Sequence, residues 1–288
     1  MDMLTYLLFR AFSILFSFIP YRLLYAFSDF LFFIIYYIVR YRKDVVLSNI
    51  RNSFPEKNEE QVNLIARQFY HHFTDIFIES LKSFTMTEEA VIKRCKFIDT
   101  ELIDSFFKKG QPVICVAGHY GNWEWAGIAA GKQMLHKPVG FYKPLSNPYV
   151  DRYIQKTRVR GRSRLASIEK TSETFKADWD ETPAFYMVAD QSPSSPRLAY
   201  WIDFLNQETA VLHGPEKYSR VHNLPVFFAC VKKIKRGYYT VEFRLLEANP
   251  EKTKTGELTT RYMKMLESII RDQPQYYLWS HRRWKLKR

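Results

Sequence analysis

Residues 113–127, Val-Ile-Cys-Val-Ala-Gly-His-Tyr-Gly-Asn-Trp-Glu-Trp-Ala-Gly, constrain the fold more than any other stretch. The first five are apolar and rich in β-branched side chains, which predicts a short buried strand. Gly118 and Gly121 punctuate the run, and Asn122 suits the N-cap of a following helix. His119 then falls in the turn at the carboxyl end of a strand, with Glu124 in the first helical turn behind it. In open α/β sheets ligands bind along that edge. A neutral imidazole can take a proton from an attacking hydroxyl. A carboxylate on the other ring nitrogen would fix its tautomer and stabilise the imidazolium. Of the seven histidines only His119 has an acid five residues on. His119 is therefore the expected general base and Glu124 its expected orienting group, with the hydroxyl supplied by substrate.

The 288 residues are 47% hydrophobic and 17% aromatic, so a core is easily built. Net charge is +13, which calls for an acidic partner: nucleic acid, anionic lipid or an acidic carrier protein. The three cysteines, Cys95, Cys115 and Cys230, have no metal-ligand spacing. Cys115 and Cys230 lie inside apolar runs and read as core thiols, and a reducing compartment is expected. His71, His72 and Asp75 supply only one acid on an otherwise aromatic face, too little for a metal site.

Residues 1–43 form a hydrophobic N-terminal segment interrupted by Arg10, Arg22 and Asp29 and divided by Pro20. Its charge-free runs, 11–21 and 30–39, fall short of the roughly 18–20 residues of a clean span. One imperfect span or a pair of interfacial helices is expected. A cleavable signal peptide is not, for want of a basic n-region and a small-residue cleavage site. Arg40, Arg42 and Lys43 place the following chain, residues 44–288, on the cytoplasmic side. Asn58 and Gln61 predict a capping box, and Val62, Ile65, Phe69, Phe73, Ile76 or Phe77, and Leu81 one helix face. Two short elements are expected over 88–110. Further strands are predicted at 139–142, 185–189, 224–231 and 238–246, and an amphipathic helix at 257–271. Asp190 follows the 185–189 strand, again at the site edge.

Gly-His-Tyr-Gly-Asn-Trp-Glu, with its His-x-x-x-x-Glu core, resembles the late acyltransferases of lipid A biosynthesis, within the lysophospholipid acyltransferase superfamily. The resemblance extends over most of the chain. Arg51-Asn-Ser-Phe-Pro55 is similar to the family's approach to its first long helix. Tyr142-Lys143-Pro144, with Asn147-Pro148 and Arg158, resembles a Tyr-Arg-Pro block in which Lys143 replaces arginine, keeping the charge but losing the bidentate fork. Asp190-Gln191-Ser192-Pro193 resembles the second active-site motif. Residues 200–215 resemble a Phe-Phe-Gly-x-x-Ala block, with Leu205-Asn206 in place of Phe-Gly. Trp279-Ser-His-Arg-Arg-Trp-Lys285 matches the terminal Trp-x-His-Arg-Arg-Trp-Lys signature.

The fold class expected is α/β: a mostly parallel sheet flanked by helices, with the N-terminal hydrophobic membrane segment. The resemblance implies acyl transfer from an acyl carrier protein thioester to a hydroxyl of a lipid A precursor, with neither cofactor nor metal. It implies that Arg158, Asp190, Tyr142 and Lys143 bind substrate, Arg158 and Asp190 by positioning it or stabilising an oxyanion. It places the protein at the inner membrane, on an anionic surface. A phospholipid, glycolipid or mannoside acceptor is the alternative. A basic nucleic-acid-binding protein is the rival from another class; it lacks a binding motif and leaves the hydrophobic segment without a purpose.

Overall fold

A computed structural model describes residues 2–288. The chain opens with α1 (Asp2–Ser17) and α2 (Tyr21–Phe33), broken at Pro20, whose missing N–H suits the N-cap of α2. A π-helical stretch, Ile34–Val39, continues α2. The resulting 19-residue helix, Tyr21–Val39, is long and apolar enough to cross a membrane by length and composition. It admits Arg22 and Asp29, so counting charge-free runs underestimated its length. Leu24, Ser28 and Phe32, spaced four apart, are buried. Leu23, Phe27, Phe30, Ile38 and, from α1, Leu8 and Leu15 stay exposed. One face thus packs inward and the other is a large apolar surface, of the kind that marks a membrane or partner contact.

Next come α3 (Lys43–Ser53) and α4 (Glu59–Ser83). The capping box at α4 is formed: Asn58 Oδ1 accepts from the Gln61 N–H at 2.9 Å, and Gln61 Oε1 from the Asn58 N–H at 3.0 Å. Val62, Ile65, Phe69 and Ile76 are buried along one face, against which α2 and α3 pack. Asp75 is buried and paired to Lys233 at 3.3 Å and Arg236 at 2.6 Å, which ties α4 to the β-hairpin carrying those cations. Among the described residues no group of three His, Cys, Asp or Glu could hold a metal ion.

Residues 88–110 contain three elements rather than two: α5 (Glu88–Arg94), β1 (Cys95–Phe97) and α6 (Glu101–Phe107). The remainder alternates strands and helices: β2 (Val113–Ala117), α7 (Trp123–Gln133), β3 (Lys137–Tyr142), α8 (Pro148–Arg158), β4 (Arg164–Ser167), α9 (Thr171–Lys176) and β5 (Pro183–Val188). A two-stranded hairpin, β6 (Tyr200–Phe204) and β7 (Gln207–Val211), precedes α10 (Gly214–His222), β8 (Val226–Lys235), β9 (Tyr238–Glu247) and α11 (Glu257–Asp272). The main sheet has seven strands in the order β1-β9-β8-β2-β5-β3-β4, all pairs parallel except β8 with β9. The expected α/β architecture is the one observed.

The uniform apolarity of 113–117 has a direct cause. β2 lies between β5 and β8 with helices on both faces. Ile114 and Val116 enter one hydrophobic core, while Val113, Cys115 and Ala117 enter the other. The turn Leu205-Asn206 between β6 and β7 has φ of 51° and 60°. Both values are left-handed, as a two-residue hairpin turn demands.

Candidate active site

Parallel pairing of β2 with β5 builds the centre of the site. Ala117 lies opposite Val188 in the register. Two residues further along each chain stand His119 and Asp190, side by side beyond the strand ends. Asp190 Oδ1 is 2.6 Å from His119 Nδ1, and Oδ2 accepts the His119 backbone N–H at 2.9 Å. The carboxylate side chain is 2% exposed and the imidazole 18%. Burial pushes the imidazole pKa down; attraction and hydrogen bonding to Asp190, with a smaller push from Glu124, outweigh it, and the net direction is up. Burial pushes Asp190 up, but His119 and, less strongly, Arg283 hold it below the usual carboxylate range. Asp190 is therefore ionised and accepts Nδ1–H. Nε2 is left as the basic nitrogen, and the Gln191 side-chain amide lies 3.2 Å from it.

This geometry corrects the orienting role expected of Glu124. In the described structure Asp190 holds Nδ1, and Glu124 Oε1 instead accepts from Arg158 Nη2 at 2.8 Å. The cause is the helix: Glu124 lies in the first turn of α7, whereas Asp190 shares the β-edge with His119. Trp123, just before Glu124, sets its ring edge-on to the imidazole at 5.1 Å between centroids. An ionised Asp190 has no proton to donate, so it cannot stabilise an oxyanion.

The turn itself is clamped from behind. Gly121 has a φ of +63°, and a Cβ there would lie 2.9 Å from the Val231 carbonyl oxygen, so only glycine fits. Its N–H donates to Tyr276 O at 3.0 Å, and Leu278 N–H donates to His119 O at 3.1 Å. Asn122 Oδ1 caps α7 through the Trp125 N–H, and its Nδ2 donates to the buried Glu79 at 2.7 Å. Asn49 of α3 donates to the carbonyls of Trp279 and His281 at 2.8 and 3.0 Å, fixing the C-terminal segment.

That segment is part of the site. Trp279 and Arg283 are buried. Arg283 Nη1 donates to Ala210 O at 2.6 Å, and its charge favours the ionised form of Asp190. Burial, only partly opposed by Asp190, pushes His281 down to about 4. It is thus neutral at pH 7, and its Nε2 accepts the Ser192 N–H at 3.2 Å. Gln191, Arg283 and His281 were not picked out as site residues from sequence. The terminal Trp-Ser-His-Arg-Arg-Trp signal was visible, but nothing in it tells that the chain returns to the His119 turn.

A cavity of about 730 Å³ opens at this edge. His119, Trp123, Glu124, Arg158, Tyr142 and Lys143 line it, so the structure gathers those sequence-chosen residues around one space. Asp190 sits behind His119 rather than in the wall. Phe141, Met187, Leu212 and Tyr218 supply an apolar wall. Tyr142 accepts from Gln155 Nε2 at 2.5 Å, which fixes its hydroxyl. Beyond α8 two arginines bind backbone carbonyls. Arg160 donates to the carbonyls of Ser83, Met86 and Thr157, and Arg162 to those of Met134 and Leu135. Arg162 and Arg164 also pair with Glu181 and Asp180.

No curated protein matches the sequence. The model of one family, described as bacterial lipid A biosynthesis acyltransferase, matches residues 1–286. A match over nearly the whole length agrees with a histidine-centred site at the sheet edge beside a largely apolar cavity, and the chain belongs to the bacterial lipid A biosynthesis acyltransferase family.

Proposed function

We propose that the protein transfers a fatty acyl chain from an acyl carrier protein thioester to a hydroxyl of a lipid A precursor, with His119 as general base. One observation carries this reading: Asp190 occupies His119 Nδ1 and leaves Nε2, its basic nitrogen, beside an apolar cavity. The acceptor hydroxyl gives its proton to Nε2 while its oxygen bonds to the thioester carbonyl carbon. The tetrahedral intermediate then expels the thiolate, which takes the proton back from the imidazolium. Asp190 holds the tautomer and stabilises the charged ring. Arg158, steered by Glu124, and Lys143 bind anionic parts of the substrates, and Tyr142 lines their path.

A covalent serine route is less well supported. Ser192 is the nearby candidate, but its hydroxyl turns to Pro193 O at 3.4 Å, while the Gln191 amide lies at His119 Nε2. The helix Tyr21–Val39 and the exposed apolar face of α1 and α2 support attachment to a membrane; we take it to be the inner membrane, with Arg40, Arg42 and Lys43 putting the site on the cytoplasmic side. Residues 1–43 then act as the membrane segment and 44–288 as the acyltransferase domain. The net charge of +13 suits lipid phosphates and an acidic carrier protein.

The test is mass spectrometry of lipid A from a deletion strain. Loss of one acyl chain, restored by the wild-type gene and not by His119→Ala, is expected. An unchanged lipid A, with an altered phospholipid or glycolipid instead, would move the acceptor elsewhere.

A further inference from the structure

Helix α7 carries a glycine where helix physics disfavours one. Gly127 sits inside Trp123–Gln133, and glycine in a helix interior is less stable than alanine because it has more backbone freedom to lose. Packing does not demand it: a Cβ built at Gly127 meets no heavy atom within 4 Å. Gly131, one turn on, differs, since a Cβ there would run into the Arg160 carbonyl. Gly127 stands on the same helical stripe as Trp123 and Glu124, and all three line the cavity.

A second glycine lies on the strand beneath. α7 packs against β3. Val139 and Phe141 of β3 pack into the core on the sheet's opposite face, so Gly140 between them belongs to the face that α7 covers. Gly140 lines the same cavity, with Ile128, Pro138 and Tyr186 nearby in its wall. Glycine within a strand often marks close approach of a ligand to the backbone. A Cβ at Gly140 would have only the tip of Leu165 within 4 Å, at 3.2 Å.

We infer that Gly127 and Gly140 bound a slot for the acyl chain of the donor, and that the absent side chain at Gly127 sets which chain lengths enter. The inference rests on the acyl-transfer reading above. The slot's other walls are Trp123, Ile128, Pro138 and Tyr186, which suit an unbranched polymethylene chain. Trp123 touches His119, so a chain lying there starts at the reacting carbonyl.

The experiment uses full-length protein in detergent, with decanoyl, dodecanoyl, tetradecanoyl and hexadecanoyl carrier-protein thioesters competing for one lipid A precursor. Product esters are quantified by mass spectrometry for wild type, Gly127→Ala and Gly127→Leu. In Gly127→Leu the hexadecanoyl-to-decanoyl product ratio should fall about tenfold or more, with Gly127→Ala between it and wild type. Gly127→Ala should also raise Tm by about 1–3 °C, because only helix propensity changes. A wild type that transfers acyl chains, beside a Gly127→Leu variant with the same donor profile, overturns the slot. So does a Gly127→Leu variant altered only in its choice among acceptors with different acyl chains. A lower Tm for Gly127→Ala would show that packing does demand the glycine. Absence of any ester from the wild type would instead overturn the acyl-transfer reading itself.

Discussion

Asp190 grips His119 at two points, through the ring Nδ1 at 2.6 Å and the backbone N–H at 2.9 Å. One buried carboxylate therefore fixes both the tautomer of the imidazole and the turn that carries it. Asp190→Asn keeps the shape but favours the wrong tautomer. It should lower kcat by about 10²–10⁴-fold with KM little changed. Glu124→Gln, which loosens Arg158 instead, should act mainly on KM. Steady-state kinetics of the two variants separate the roles. Equal effects on kcat would mean that Glu124 also serves the ring.

The pH profile follows from the same pair. Its raised pKa puts the acidic limb of kcat/KM, where His119 becomes neutral and basic, above the ordinary 6.5. In Asp190→Asn burial becomes the leading influence, and the limb should move below 6.5. A limb that stays in place would assign the titration to another group. Stability has the opposite sign at each partner. The raised His119 contributes stability that is fully present below 6.5 and lost as pH rises through its folded value. The lowered Asp190 contributes stability present above 3.8 and lost as pH falls through its folded value. Thermal unfolding across pH, compared with Asp190→Asn, reads both limbs.

Much of this site was legible in residues 113–127. The strand, the turn, the Asn122 cap and the exposed edge all follow from local pattern. The partner of His119 did not, because strand order is not a local property. Asp190 is 71 positions away in sequence, and only the pairing of β2 with β5 brings it alongside. Glu124 was near in sequence but one helical turn aside. Likewise Arg283 and His281 belong to the site because Tyr277 bridges back to Tyr120, a contact with no sequence signature. Arg162 and Arg164 are exposed, and their pairs with Glu181 and Asp180 have no sequence signature either.

Carrier-protein docking should use the exposed charges of α8. Arg152 and Lys156 are exposed there. Reversing both should raise KM for the carrier donor several-fold, leave kcat nearly intact, and flatten the fall in rate with salt. Transfer from a coenzyme A thioester, which lacks a broad acidic face, should respond less to salt in either protein. Equal salt slopes for the two donors would give the basic surface to the membrane or acceptor.

Membrane attachment should be apolar. Removal of residues 1–39 takes away the helix Tyr21–Val39, but it also exposes the face of α4 that Leu24 and Phe32 cover. Paired substitutions that leave this packing intact are the better probe. Phe27→Ser with Phe30→Ser alters only exposed side chains and should shift protein from the membrane to the soluble fraction without lowering Tm. Release of wild-type protein by high salt alone would mean that charge, which salt screens, holds it there.

Single-turnover transfer decides the role of His119. Purified full-length wild type and His119→Ala are each mixed in excess with a radiolabelled acyl-carrier thioester and a lipid A precursor, and the ester bond is followed in time. A base role for His119 requires the variant to form ester about 10²–10⁴-fold more slowly, with donor and acceptor still bound and Tm within a few degrees of wild type. Ester formation by His119→Ala at the wild-type rate would contradict it.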